Sequence, residues 1–193
     1  MLHLSKNKTV IALFIFTMAA IALTNTSCKP SVDYSKQLAV LDSLNKSMHI
    51  ADSSLAKVDT ATIKKDANHV MMSLELIKMA HQDSMSKGAA EIFRNFSSVR
   101  WQLETFMGRR AVMRIEMGKS MIQLNHLSHD LKNNLIKADS AAIFYNVEAK
   151  KAGLLIESEK MSMQMLNGQL PLYNLIAPQA DSLIALVKSH KEI

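Results

Sequence analysis

Methionine and histidine are the residues of this chain with the most chemistry to offer, 14 and 7 of them in 193 positions. Met161-Ser162-Met163-Gln164-Met165 has alternate thioethers, a donor type that suits the soft ion Cu(I). On a helix, alternate residues point about 200° apart, so Met163 faces away from the side shared by Met161 and Met165. Met113, Met117 and Met121 do share a face, but methionines at fourfold spacing are the pattern of adaptable core filling.

Histidines pair with acids at helical spacing in two places. His126 and His129 stand one turn apart with Asp130 beside them, and Asp66 stands one turn before His69. Either pair is compatible with a metal held on one helix face. A di-iron carboxylate centre needs Glu-x-x-His pairs, and none occurs. His81 falls on an apolar seam, where it would serve as a haem ligand facing a methionine, or sit neutral and hydrogen-bonded. Covalent haem is excluded, because Cys-x-x-Cys-His is missing.

Catalytic signatures are absent as well: no Gly-x-Ser-x-Gly, no phosphate-cradling loop, no His-Glu-x-x-His. Arg109-Arg110 and Glu157-Ser158-Glu159 read as exposed charge. No catalytic, cofactor-binding or metal residue is assigned, and the chain is expected not to be an enzyme. A copper or haem binder is the alternative that the methionines and histidines keep open.

Five glycines, three prolines, few aromatics and a hydrophobic share of 48% describe a helical protein. The apolar spacing agrees. Leu41, Leu44, Met48, Ala51, Leu55 and Val58 recur at 3 and 4, as do Ile63, Ala67, Val70, Leu74, Ile77 and His81, then Ile92, Phe96, Val99, Leu103 and Phe106. Asp59 is placed to cap the second of these helices and Gly88 to end it.

The pattern repeats at a shift of 80 residues. Lys57, Asp59, Ala61 and Ile63 fall on Lys137, Asp139, Ala141 and Ile143; Leu44-Asn45 falls on Leu124-Asn125, His49 on His129, and Gly88 on Gly168. The spacing predicts an all-α, elongated bundle of two three-helix units, 36–112 and 113–193, each of antiparallel helices joined by tight turns. A long helix shared between them would be weakened only at Gly108 and Gly118. Pro171 and Pro178 are expected to kink or restart the last helix before Asp181. A single four-helix bundle broken at Gly108 is the alternative.

The N-terminus carries a different signal. Met1 to Thr9 holds Lys6 and Lys8 and no acid, Val10 to Leu23 is apolar, and Thr24 to Ser27 is small and polar, the layout of a secretory signal. The apolar run spans about 21 Å as a helix, short of the ~30 Å hydrocarbon layer. The only cysteine, Cys28, follows at once. In this leader the chain resembles bacterial lipoprotein precursors: Thr26 and Ser27 match the small residues before the cysteine, while Asn25 stands where an aliphatic residue is usual. The resemblance implies a signal peptide 1–27 and a lipid on Cys28. It also implies a tether 28–35 and, with Lys29 next, the outer membrane of a Gram-negative bacterium, facing periplasm or surface. An ordinary cleaved signal leaving Cys28 as a free thiol is the rival reading.

Without the leader's two lysines, 21 basic residues face 17 acidic ones, a charge of +4. The excess is spread along the chain with no basic block, so no nucleic acid is expected. The expected partners are the membrane, through lipid at Cys28, and another envelope protein. The expected role is a helical interaction or spacer module.

Overall fold

A computed structural model describes residues 32–80 and 85–191. The leader, Cys28 and His81 lie outside them. Four helices make up the described chain: α1 (Ser35–Lys57), α2 (Thr60–Ala80), α3 (Lys87–Lys132) and α4 (Ala138–Lys191). The protein is an all-α helical bundle, and from Tyr34 onward it forms one compact unit.

The seams read from the sequence are the core. Leu41, Met48 and Leu55 of α1, Val70 of α2, and Phe96, Val99, Leu103 and Phe106 of α3 are wholly buried, with Leu44, Val58, Ala67 and Ile92 packed against them. Each fully buried aliphatic or aromatic side chain contributes roughly 1.5–3 kcal/mol, so these stripes dominate stability. Met113 and Met117 are buried in α3 and Met121 is half-buried, which makes that stripe core filling.

Direction follows from which side chains meet. Asp52 pairs with Arg114, Asn45 Nδ2 donates to Asn125 Oδ1 (3.1 Å), and Arg110 Nε donates to Leu55 O (2.8 Å), so α1 and α3 are antiparallel. Met113 Sδ accepts from Ser158 and Ser162, and Glu116 pairs with Lys151, so α3 and α4 are antiparallel too. Helix α2 runs parallel to α4: Ile63 lies by Leu166 and Leu170, Ile77 by Ile184. Helices α1 and α2 therefore follow one another along the same side of α3 without packing on each other.

This departs from the expectation of a reversal between them. Val58 turns extended, at φ −63° and ψ 126°, and Asp59 restarts the helix: Oδ1 accepts from Ala61 N (3.0 Å) and Thr62 N (3.1 Å), Oδ2 from Thr62 Oγ1 (2.7 Å). The apolar seam runs on from Leu55 through Val58 to Ile63, so the chain has no reason to turn back.

The repeat's matched signals do different jobs in the two copies. Asp139 lies inside the first turn of α4 and not before it. Gly88 does not end α2 but sits in the first turn of α3, whose cap is Ser86, with Oγ accepting from Ala89 N (3.2 Å). Gly168 is within α4. The reversal between α3 and α4 is closed by Asn134 at φ 50°, with Leu135 N donating to Asp130 O and Asn134 N to Leu131 O, a Schellman arrangement with asparagine in the left-handed position.

Pairing also crosses the 80-residue halves. Helix α1 lies against the second half of α3 and the first half of α4, while α2 lies against the first half of α3 and the second half of α4. The expected boundary near residue 112 falls inside α3, between Arg110 and Arg114, which both reach α1.

Helix α3 shows no break at Gly108 or Gly118; its 46 residues span about 69 Å. A Cβ added at either glycine meets nothing within 4 Å. Gly108→Ala and Gly118→Ala are each expected to raise unfolding free energy by about 1 kcal/mol in urea denaturation, since alanine removes backbone freedom from the unfolded chain.

Candidate functional site

The densest polar cluster among the described residues forms where α2 and α4 run side by side. His69 on α2 is held at both ring nitrogens: Nδ1 lies 2.9 Å from the Tyr173 hydroxyl and Nε2 lies 3.0 Å from Asp181 Oδ1. A carboxylate only accepts, so Nε2 donates to Asp181 and, in the neutral ring, Nδ1 accepts from Tyr173. Phe96 of α3 is the floor. Its ring meets His69 edge-on (6.2 Å, 78°) and stacks beside Tyr173 (6.4 Å, 22°).

Asp66, one turn before His69, completes the site. Burial pushes the Tyr173 phenol up to about 12, and the Asp66 carboxylate, then Asp181, adds to the rise by opposing a second negative charge. In a variant whose other two tyrosines are phenylalanine, absorbance titration is expected to show Tyr173 ionising near 12. A raised folded value stabilises the fold fully below the ordinary value of about 10 and loses that contribution as pH climbs through the folded one.

The order carboxylate, imidazole, hydroxyl matches a nucleophilic triad in connectivity, but its electrostatics run the other way. An attacking hydroxyl needs its proton loosened, and here the surroundings hold it more tightly. The arrangement is a clasp between α2 and α4. With Asp181 60% exposed in its side chain, its ion pair with His69 is worth little.

Beside the clasp is a notch of about 430 Å³, opened where α1 gives way to α2 and floored by Ile63, Met163, Leu166 and Leu170. Toward the other end of the bundle, Asn45, Ser120 and Glu148 bring polar atoms into the interior. Among the described residues Asn45 Oδ1, Ser120 Oγ and Glu148 Oε2 have no hydrogen-bond partner, each a cost of about 1–3 kcal/mol or more for a charged group.

A second link joins α1 to α3. Arg114 grips Asp52 with both arms, Nε at 2.7 Å and a terminal nitrogen at 3.2 Å. Arg110 donates to Leu55 O and Ala56 O, the last carbonyls of α1, so it is a helix cap in space and not the exposed charge read from the sequence. The Arg114 hydrogen bond holds the Asp52 carboxyl below its ordinary value, outweighing burial, which raises it. The stabilisation is present above about pH 4 and lost as acid drives pH down through the folded value. Asp52→Asn is expected to flatten that acid limb in denaturation midpoints measured against pH.

Of the two histidine–acid pairs picked from the sequence, the pair of Asp66 and His69 is the one that meets side chains of another helix. Tyr173 and Asp181 were missed because nothing local joins them to a histidine more than 100 residues away. His129 pairs with its neighbour Asp130 (3.3 Å) on an exposed surface. Met161 is exposed while Met163 and Met165 are half-buried against the core. No group of three or more His, Cys, Asp or Glu among the described residues is arranged to hold a metal ion. Comparison with protein-family models, with curated proteins and with solved structures finds no match.

Proposed function

We propose that this chain is a lipoprotein held by lipid at Cys28 to the outer membrane of a Gram-negative bacterium. In this reading its helical rod faces periplasm or surface and serves as a non-catalytic interaction or spacer module. The leader and the placement of the only cysteine support the anchor.

One observation supports the interaction role above others. Helix α4 is long and apolar enough, by length and composition, to cross a bilayer, yet only 11% of its most apolar window is buried in the bundle. A helix enclosed on all sides by a core would show the reverse. Ile176 and Ala180 seat this stretch in the bundle, and its uncovered side is a surface for another molecule.

The test has two arms. Mass spectrometry of the N-terminal peptide is expected to show a diacylglyceryl adduct on Cys28, with Cys28→Ala moving the protein to the aqueous fraction. Crosslinking in intact envelopes is expected to trap a protein through exposed α4 positions. An unmodified thiol with the chain already soluble overturns the anchor. Stoichiometric metal or a Soret band in protein from its native membrane overturns the interaction role in favour of a metal or haem binder.

A further inference from the structure

The uncovered side of α4 is a single stripe. Ile143, Val147, Leu154, Met161, Leu175 and Leu186 are each more than half exposed. From Val147 to Leu175 they recur every seven residues, with Gly168 filling the remaining place. Seven residues bring an α-helix back to within about 20°, so these positions share one face. Six such side chains present on the order of 500 Å² of apolar surface, the size of the largest patch on an ordinary monomer and most of the ~800 Å² per partner in a standard interface.

The stripe is complementary to itself when reversed. Seven places either side of Met161 stand Leu154 and Gly168, a large knob and an open place where an added Cβ meets nothing within 4 Å. Fourteen places either side stand Val147 and Leu175, both apolar.

We infer that α4 pairs with α4 of a second copy of this chain, antiparallel, with the two-fold axis at Met161. This rests on the interaction reading above and names its partner. Each Leu154 then seats over the partner's Gly168, and each Val147 against the partner's Leu175. With the axis at Met161, Glu157 comes opposite Met165 and Lys150 opposite Leu172, while Lys160, one place from the axis, is the charge that approaches its own copy. A parallel pair would set Lys150 against Lys150 and Glu157 against Glu157, two repulsions beside the apolar seam. An isologous two-fold contact needs a patch that fits its own reverse, and this one does. Because the rods run opposite ways, their Tyr34 ends lie at opposite ends of the pair. A dimer with both copies tethered to one bilayer lies along it instead of standing on end.

Disulfide trapping of the full chain in its native membrane tests the register, with the parent chain as the control for Cys28. Met161→Cys alone is expected to give a covalent dimer. Leu154→Cys alone and Gly168→Cys alone are expected to give none, since their copies would lie about 21 Å apart along the axis. Coexpression of the two is expected to restore it. Met161→Arg, at an exposed position that leaves the helix intact by circular dichroism, is expected to cut the dimer fraction at least tenfold by sedimentation. A disulfide from Leu154→Cys alone overturns the antiparallel pair. No trapping at any position with a monomeric mass overturns the dimer altogether. In that event a photo-crosslinker at 154 separates the two readings: capture of a different envelope protein leaves the interaction role standing. Capture of lipid alone, or of nothing, removes that role too.

Discussion

Replacing Phe96 by alanine is expected to lower the unfolding free energy by about 3–5 kcal/mol, the largest loss from any single change discussed for this protein. The ring is fully buried and lies where three helices meet: α3 carries it, His69 of α2 meets its edge, and Tyr173 of α4 stacks beside it. Truncation removes apolar burial and leaves a cavity under a polar cluster, which relaxes only in part. Two readouts check this. Urea denaturation gives the loss, and absorbance titration is expected to show Tyr173 ionising nearer its ordinary value, because water admitted under the ring weakens the burial that raises it. A loss below about 1 kcal/mol would mean that the three helices do not share this ring as a common floor.

Proline to alanine in α4 is expected to work in the opposite direction. Pro171 and Pro178 lie inside a helix that passes through both without ending, so it does not restart before Asp181. Packing holds it: Ile176 and Ala180 are buried between and beyond the prolines. Side-chain bonds brace the same turns: Gln179 Nε2 donates to Leu175 O (3.2 Å), next to the Asn174 carbonyl that Pro178, having no N–H, leaves without its regular partner, and Ser182 Oγ donates to Pro178 O (2.8 Å). Each internal proline costs a helix about 3 kcal/mol where nothing compensates, so Pro171→Ala with Pro178→Ala is expected to raise stability by about 2–4 kcal/mol. Thermal unfolding measures the gain. Gln179→Ala should destabilise the parent more than the double variant, a coupling that a double-mutant cycle reads directly. Equal effects in both would show that Gln179 does not brace the turn at the proline.

These two results bear on the proposed role from different sides. Phe96 seats α4 in the bundle through Tyr173, so its loss should loosen the helix that carries the exposed stripe. The prolines lie at exposed positions to one side of that stripe's register, so their removal should stiffen α4 without covering the stripe. A dimer that forms through α4 is expected to survive the second change better than the first.

The helices and their inward faces were written in local spacing. Leu41, Met48 and Leu55, or Phe96, Val99, Leu103 and Phe106, sit three and four residues apart because a helix returns to its face at that interval, and all are fully buried. Asp59 was legible for the same kind of reason, since a cap acts within three residues. Gly88 misled, because a glycine near a helix end fits the first turn of the next helix as well as the close of the last. Asp66 and His69 were visible as a pair, but Tyr173 and Asp181 come from another helix, and no local spacing encodes that meeting.

What the sequence determined alone is therefore what depends on neighbours a few residues apart: helix, seam, cap, and a cysteine set behind an apolar run. Tertiary structure decided which segments share a cross-section. It sent α2 onward beyond Val58 without reversal, carried α3 through its glycines and α4 through its prolines, and turned Arg110 from a surface charge into the cap of α1. The physical reason is one of scale. A capping bond or a helical repeat is set within one or two turns, whereas the choice to bend or continue is set by the burial available along tens of residues of neighbouring helix, which here exceeds the cost of a glycine or a proline.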